Sequence, residues 1–287
     1  MTVVRASTAG FCMGVALALK RLDRCLHNRP DLNTHTFGPI IHNPQVLARY
    51  RRLGVREADS LEKIHHPAQV VIRAHGIPWE MQEALVQCQA EIVDATCPKV
   101  KKAQMLIAEQ VKTGKSLLLL GEIDHPEVKG LLSYAGEDAF VFENLDELEK
   151  AELDQDKSYV LAAQTTQDRK EFARVREHLW NRLGHDIPVL DTICDATRQR
   201  QKEAREIART VDLMVVVGGY ESGNTRRLVQ VIQETGTPCV HVETPAELPL
   251  ERLARVQAIG LTAGASTPVS LVDMVEKRLH EIKRGPQ

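Results

Sequence analysis

Three short motifs, each built the same way, set the frame for this chain. Asp191-Thr192-Ile193-Cys194-Asp195, Asp94-Ala95-Thr96-Cys97-Pro98 and, more loosely, Ala9-Gly10-Phe11-Cys12-Met13-Gly14 each follow a short apolar run and precede a segment with helical patterning. The cysteines lie 85 and 97 residues apart. At 30, 28 and 28 residues beyond them comes a polar residue four positions after a glycine: Gly38 and His42, Gly121 and His125, Gly218 and Ser222. A third landmark completes each set: Ala74-His75-Gly76, Ala163-Gln164-Thr165-Thr166 and Gly264-Ala265-Ser266. Matched landmarks in one order, three times over, mark a supersecondary unit used three times. An unrepeated α/β chain accounts for each turn residue but not for the shared spacing.

The segments between the landmarks read as alternating strands and helices. Strands are expected at Thr2–Arg5, Thr34–Phe37, Gln69–Arg73, Glu91–Asp94, Ser116–Leu120, Ala139–Phe142, Tyr159–Ala162, Ile187–Leu190, Leu213–Val217, Cys239–Val242 and Ala258–Leu261. Four leucines follow Ser116, too apolar for a strand with a wet face, as in parallel sheets covered by helices on both sides. Gly14–His27 carries Val15, Leu19, Leu22 and Leu26 on one helical face. Pro44, Pro78 and Pro98 each open a helix, where a missing N–H costs nothing. Further helices are expected over Asp168–Leu183 and from Pro268 to about Lys283, with a disordered tail at Arg284–Gln287.

This alternation predicts an α/β fold of three modules with small, mostly parallel sheets. The expected boundaries are 13–96, 97–193 and 194–283, the last completed by an N-terminal strand within residues 1–12.

Composition narrows the function. A net charge of −2 and an aromatic content of 4% argue against nucleic acid, which needs a basic face or stacking platforms. No apolar run approaches the ~20 residues of a membrane span. No signal-peptide pattern opens the chain, so a reducing cytoplasmic setting is expected. There the six cysteines read as metal ligands, catalytic thiols or core residues rather than disulfides. Cys25, Cys88 and Cys239 fall inside elements and read as core.

In open α/β sheets ligands bind beyond the carboxyl ends of the strands. Every landmark residue lies there. Three modules facing one axis would gather Cys12, Cys97 and Cys194, ringed by His42, His75, His125, Thr165, Thr166, Ser222, Asn224 and Ser266. Helix N-termini pointing inward would favour negative charge. A [4Fe–4S] cluster held by three thiolates, with one iron open to substrate, fits this set. Structural zinc normally takes four ligands, often as paired C-x-x-C, and no such pair occurs here. Three buried core cysteines are the plain alternative. The neutral donors suit a diphosphate or a carboxylate. No phosphate-binding glycine loop of the nucleotide type is present. Glu127 reads either as a proton donor at a site mouth or as a solvated first-turn glutamate.

Taken together, Gly10-Phe11-Cys12-Met13-Gly14-Val15, Gly38 to Gln45, Ala74 to Pro78, Asp94 to Pro98, His125 to Val128, Gln164 to Thr166, Asp191 to Cys194, Ser222 to Asn224 and Ala265 to Pro268 closely resemble the 4-hydroxy-3-methylbut-2-enyl diphosphate reductase family. The resemblance implies that Cys12, Cys97 and Cys194 hold one [4Fe–4S] cluster with an open iron. It implies that His42, His75, His125, Ser222, Gly223, Asn224 and Ser266 hold the diphosphate. Glu127 would deliver protons, with Thr165 or Thr166 in its network. Ferredoxin or flavodoxin would supply electrons to a monomer, for a two-electron, two-proton removal of the hydroxyl group. Gly223 departs from the family pattern, in which some members have a serine, and leaves only a backbone N–H there. A quinolinate-synthase-like enzyme is similar in outline but transfers no electrons, and an iron–sulfur regulator would need a basic stripe.

Overall fold

The computed structural model describes residues 2–184 and 186–282. Lys283, which ends both the expected last helix and the third expected module, lies outside the described residues. So do Met1 and the tail Arg284–Gln287.

The chain begins with β1 (Thr2–Arg5), α1 (Met13–Asn28), β2 (Asn33–Phe37), α2 (Pro44–Arg52), β3 (Arg56–Ala58), β4 (Ala68–Ile72), α3 (Trp79–Gln87) and β5 (Glu91–Asp94). It continues through α4 (Pro98–Val111), β6 (Ser116–Leu120), α5 (Pro126–Leu132), β7 (Ala139–Phe142), α6 (Leu145–Lys150), β8 (Tyr159–Ala163) and α7 (Arg169–Leu183). It closes with α8 (Asp195–Ala208), β9 (Leu213–Val217), α9 (Gly223–Gln233), β10 (Cys239–Val242), α10 (Leu250–Leu253), β11 (Ala258–Ala263) and α11 (Val269–His280).

The strands form three parallel sheets among the described residues, ordered β3-β2-β4-β5, β7-β6-β8 and β10-β9-β11-β1. Each has one plan. The strand after the cysteine-led helix (β2, β6 or β9) pairs with an edge strand (β3, β7 or β10). On its other side lies the strand that runs to the third landmark (β4, β8 or β11). A fourth strand follows in two sheets: β5 beside β4, and β1 beside β11.

In the sheet of β6 the matching place holds a single bridge, Leu161 with Val189. The strand expected at Ile187–Leu190 is therefore not formed. Pro188 accepts from Leu161 N through its carbonyl at 2.9 Å, but it has no N–H to extend a ladder. The short edge strand β3 and the helix α6 went unread in the sequence. Asn144 caps α6 by accepting from Glu147 N at 3.0 Å, a capping signal plainly present in Asn144-Leu-Asp-Glu147.

The leucines of β6 divide as the two-residue period of a strand requires. Leu117 and Leu119 pack with Val160, Ala162 and Val128, whereas Leu118 and Leu120 pack with Leu161, Phe142 and Val175. Both faces are covered, which is why the run could be apolar throughout.

The described residues fall into two compact units, one from residues 2–15, 41–49 and 195–282, the other from residues 16–40, 50–184 and 186–194. The sheet of β9 belongs to the first unit and the sheets of β2 and β6 to the second. Among the described residues no helix is long and apolar enough to cross a membrane.

Candidate functional site

In the second unit, β6 delivers the chain to His125, which caps α5. Its Nδ1 accepts from the Glu127 amide at 3.1 Å. An imidazole nitrogen that accepts carries no proton, so the neutral ring keeps its N–H on Nε2. His75, beyond the end of β4, sets its ring at 89° to that of His125 with centroids 5.3 Å apart. Glu127 follows His125 by two residues and is only 2% exposed. The solvated reading of Glu127 is thereby excluded. Thr165 N donates to its Oε1 at 2.6 Å, and the Thr165 hydroxyl donates to Oε2 at 2.9 Å. Burial outweighs these two bonds and pushes the carboxyl up to about 7. Such a group holds its proton in a dry place yet releases it near neutral pH, as general acids do. Among the described residues no hydrogen bond joins Thr166 to Glu127; Thr165 makes both contacts.

Cys97 caps α4, and its amide donates to Ala74 O at 2.9 Å, just before His75. Cys194 N donates to Thr165 O at 3.0 Å. In the first unit Cys12 N donates to Ala265 O at 3.0 Å, beside Ser266. The same bond is thus made three times, from each cysteine to the turn that ends a landmark strand. It gives the spacing of the landmarks a physical cause: the turn and the cysteine must meet.

The first unit carries His42, Ser222, Gly223, Asn224 and Ser266. Ser222 caps α9 by accepting from Thr225 N at 3.4 Å, with buried Gly223 as the first helical residue. The Ser266 hydroxyl lies 3.1 Å from the His42 carbonyl oxygen and 3.3 Å from Ser222 Oγ. Gly219 permits this approach, because a Cβ there would stand 2.8 Å from the His42 carbonyl. Asn43 holds the next turn by accepting from Val46 N at 3.0 Å. Asn224 Nδ2 is shut off from solvent and makes no hydrogen bond among the described residues. Ser222, Asn224 and Ser266 are uncharged and gather donors at a helix start, which favours an anion.

The cysteines divide by environment. Cys12, Cys97 and Cys194 are half-buried at helix N-termini, and Cys12 Sγ accepts from Val15 N at 3.5 Å. Free N–H groups and the positive end of the helix dipole face each of these positions, where an anionic ligand set is favoured. Cys25 is buried, and Cys88 and Cys239 pack against cores. Burial pushes the Cys239 thiol up to about 11. Only the first three have the surroundings of soft-metal ligands, and they fit an iron–sulfur group.

A family model described as LytB protein matches residues 3–280. The chain belongs to the LytB family. A relative from Oleidesulfovibrio alaskensis, named 4-hydroxy-3-methylbut-2-enyl diphosphate reductase, is 58% identical over 98% of this chain and 100% of its own. One of the same name from Geobacter sulfurreducens is 41% identical over 98% of both chains. A solved E-1-hydroxy-2-methyl-but-2-enyl-4-diphosphate reductase from Plasmodium falciparum has a TM-score of 0.91 at 27% identity, covering 96% of this chain and 87% of that one. A second solved structure, titled as the terminal enzyme of the non-mevalonate pathway, has a TM-score of 0.70 at 36% identity over 98% and 100%. LytB proteins are iron–sulfur enzymes.

Two residues close to the LytB landmarks escaped the sequence reading: Arg200 and Glu203, on α8. The signal was there. Thr197, Arg200, Gln201, Ala204 and Ile207 form the buried stripe of this helix, which places a charge where an aliphatic residue is usual.

Proposed function

We propose that this chain reduces 4-hydroxy-3-methylbut-2-enyl diphosphate to isopentenyl and dimethylallyl diphosphate, the reaction its relatives are named for. The allylic C–O bond breaks, two electrons and two protons are taken up, and the hydroxyl leaves as water. The observation that carries the reading is Glu127: a carboxyl group buried in a helix start, bonded twice by Thr165 and protonated up to about pH 7.

Cys12, Cys97 and Cys194 would hold a [4Fe–4S] cluster, which would supply electrons and Lewis acidity when bound. The rest is the work of the chain's own residues. His42, His75, His125, Ser222, Asn224 and Ser266, with the backbone at Gly223, bind the diphosphate through neutral donors and helix starts. This fixes the C5 end without a bulk of positive charge. Glu127 gives its proton to the departing oxygen, and Thr165, with Thr166 beside it, aligns the carboxyl group. The packing around Glu127 excludes the water that would otherwise ionise it. Ferredoxin or flavodoxin supplies electrons one at a time. The protein acts as a cytoplasmic monomer of three modules, 13–96, 97–193 and 194–283 with 1–12.

The test is an anaerobic preparation, assayed for iron, sulfide and conversion of the hydroxylated C5 diphosphate with a strong one-electron reductant. About four irons per chain and both C5 products are expected, with loss of iron in Cys97→Ser and none in Cys88→Ser. Loss of iron in Cys88→Ser with retention in Cys97→Ser would overturn the ligand set.

A further inference from the structure

α8 grips one loop by both its donors and its acceptors. The loop is Ala6–Cys12, which leads from β1 to the thiol proposed as a cluster ligand. Arg200 is 4% exposed, yet its two terminal guanidinium nitrogens donate to main-chain carbonyls. Nη1 donates to Thr8 O and, at 2.7 Å, to Ala263 O, and Nη2 donates to Gly10 O at 3.0 Å. Glu203, three residues on, takes the donors of the same loop. It accepts from Ser7 N at 2.7 Å, Thr8 N at 2.9 Å and the Thr8 hydroxyl at 2.5 Å. Residues three apart on a helix share a face, so one turn of α8 reads both sides of the loop.

A buried charge is costly, and a main-chain loop needs no charge merely to be covered. The fork of Arg200 joins three carbonyls from two segments. Two belong to the Cys12 loop. The third, Ala263 O, ends β11, three residues before Ser266. Gly10 makes the turn between Thr8 and Cys12 with φ +135°, where a Cβ would stand 2.7 Å from Val269 Cγ2. The loop is therefore pinned at residues 7, 8 and 10 by α8 and at Cys12 by the hydrogen bond its N–H donates to Ala265 O. Little freedom is left to the Cys12 main chain, from which the sulfur projects.

The geometry points to Arg200 and Glu203 as positioning residues for Cys12 and, through Ala263, for the turn of Ser266. They hold the thiol where a cluster must find it before the cluster arrives. The guanidinium also places a fixed positive charge two residues from the ligand, and charge and hydrogen bonding set the potential of such clusters. This inference rests on the proposed assignment of Cys12 as a ligand.

The experiment compares Arg200→Gln, Arg200→Lys and Glu203→Gln with the unaltered protein. The first readout is amide hydrogen exchange of the chain without its cluster. Faster exchange over residues 7–12 is expected in Arg200→Gln and Glu203→Gln, with the amides of β9 still protected. The second is the reconstituted protein. Its cluster should be lost to a chelator about 10-fold faster in Arg200→Gln. Its reduction potential should move down in Arg200→Gln and be largely restored in Arg200→Lys, which keeps the charge; a merely structural role would not separate these two. Unchanged exchange over 7–12 together with an unchanged potential would overturn the inference. If Arg200→Gln loses β9 protection as well, Glu203→Gln, at the half-exposed end of the grip, decides it by exchange over 7–12 and chelator rate. Cys12→Ser keeps the two readings apart. Retention of iron in that variant defeats the ligand assignment, whereas loss of iron there with intact Arg200 variants defeats only the positioning role.

Discussion

Glu127 with Thr165, and Ser222 with Ser266, are two corners built by the same local grammar to opposite ends. Each sits where a strand has just ended and a helix begins. Around Glu127 the chain removes water until a carboxylic acid keeps its proton to about pH 7. Around Ser222 it gathers neutral hydroxyls, a buried amide group and a helix start, with no titrating side chain among the three residues Ser222, Asn224 and Ser266. The lesson is a separation of labour. Moving a proton requires a group whose charge is finely balanced, and burial sets that balance. Holding an anion requires donors, and hydroxyls, amide groups and helix starts supply them here without a titration of their own.

The largest effect that could break the comparison is on Glu127 itself. Glu127→Gln keeps the shape and the Thr165 contacts but cannot supply the proton. We expect kcat to fall by about 10²–10⁴-fold, with KM and iron content nearly unchanged. Full turnover in steady-state kinetics would remove Glu127 from proton delivery.

Ser222→Ala should act on the other side of the divide. Loss of one hydrogen bond to a charged group, about 1.5–3 kcal/mol, should raise KM by about 10-fold or more, with a smaller change in kcat. A variant that lowers kcat alone would merge the two corners into one function.

The smallest expected effect concerns pH. The acid form of Glu127 is lost as pH rises through about 7, so turnover should fall on that limb. The Thr165 bonds lower its pKa, so Thr165→Val should move the limb to higher pH. Stability must follow with the matching sign. The folded carboxyl binds its proton more tightly than an ordinary glutamate, which titrates at 4.5, so the native state holds more protons than the unfolded one between 4.5 and about 7. Glu127's contribution to stability is then full below this window and is lost as pH rises through it. Thermal melts of the unaltered protein and Glu127→Gln across the window should differ in slope in that direction; equal slopes would refute the raised pKa.

Much of this architecture is written locally. Apolar runs such as Leu117–Leu120 and Leu213–Val217 can only be covered strands, and Pro44, Pro98 and the capping residues mark helix starts where the structure has them. The Ile187–Leu190 run is apolar enough for a strand, but Pro188 lacks the N–H that a ladder needs, and one bridge is all that forms among the described residues. The polar side chains beyond the strands were legible as candidates through their repeated spacing. Their states were not. Nothing near Glu127 in sequence announces that it is buried, since its second partner, Thr165, is 38 residues away.

The sequence by itself determined the α/β class, the three repeated strand–helix units and the cysteine and landmark positions, because periodicity, turn chemistry and spacing are properties of neighbours along the chain. Only the tertiary structure decided which turn meets which cysteine, that Glu127 is dry, and that Arg200 is buried against main-chain carbonyls from residues 8, 10 and 263. Desolvation and long-range hydrogen bonds depend on what the fold brings close, and no local pattern encodes that.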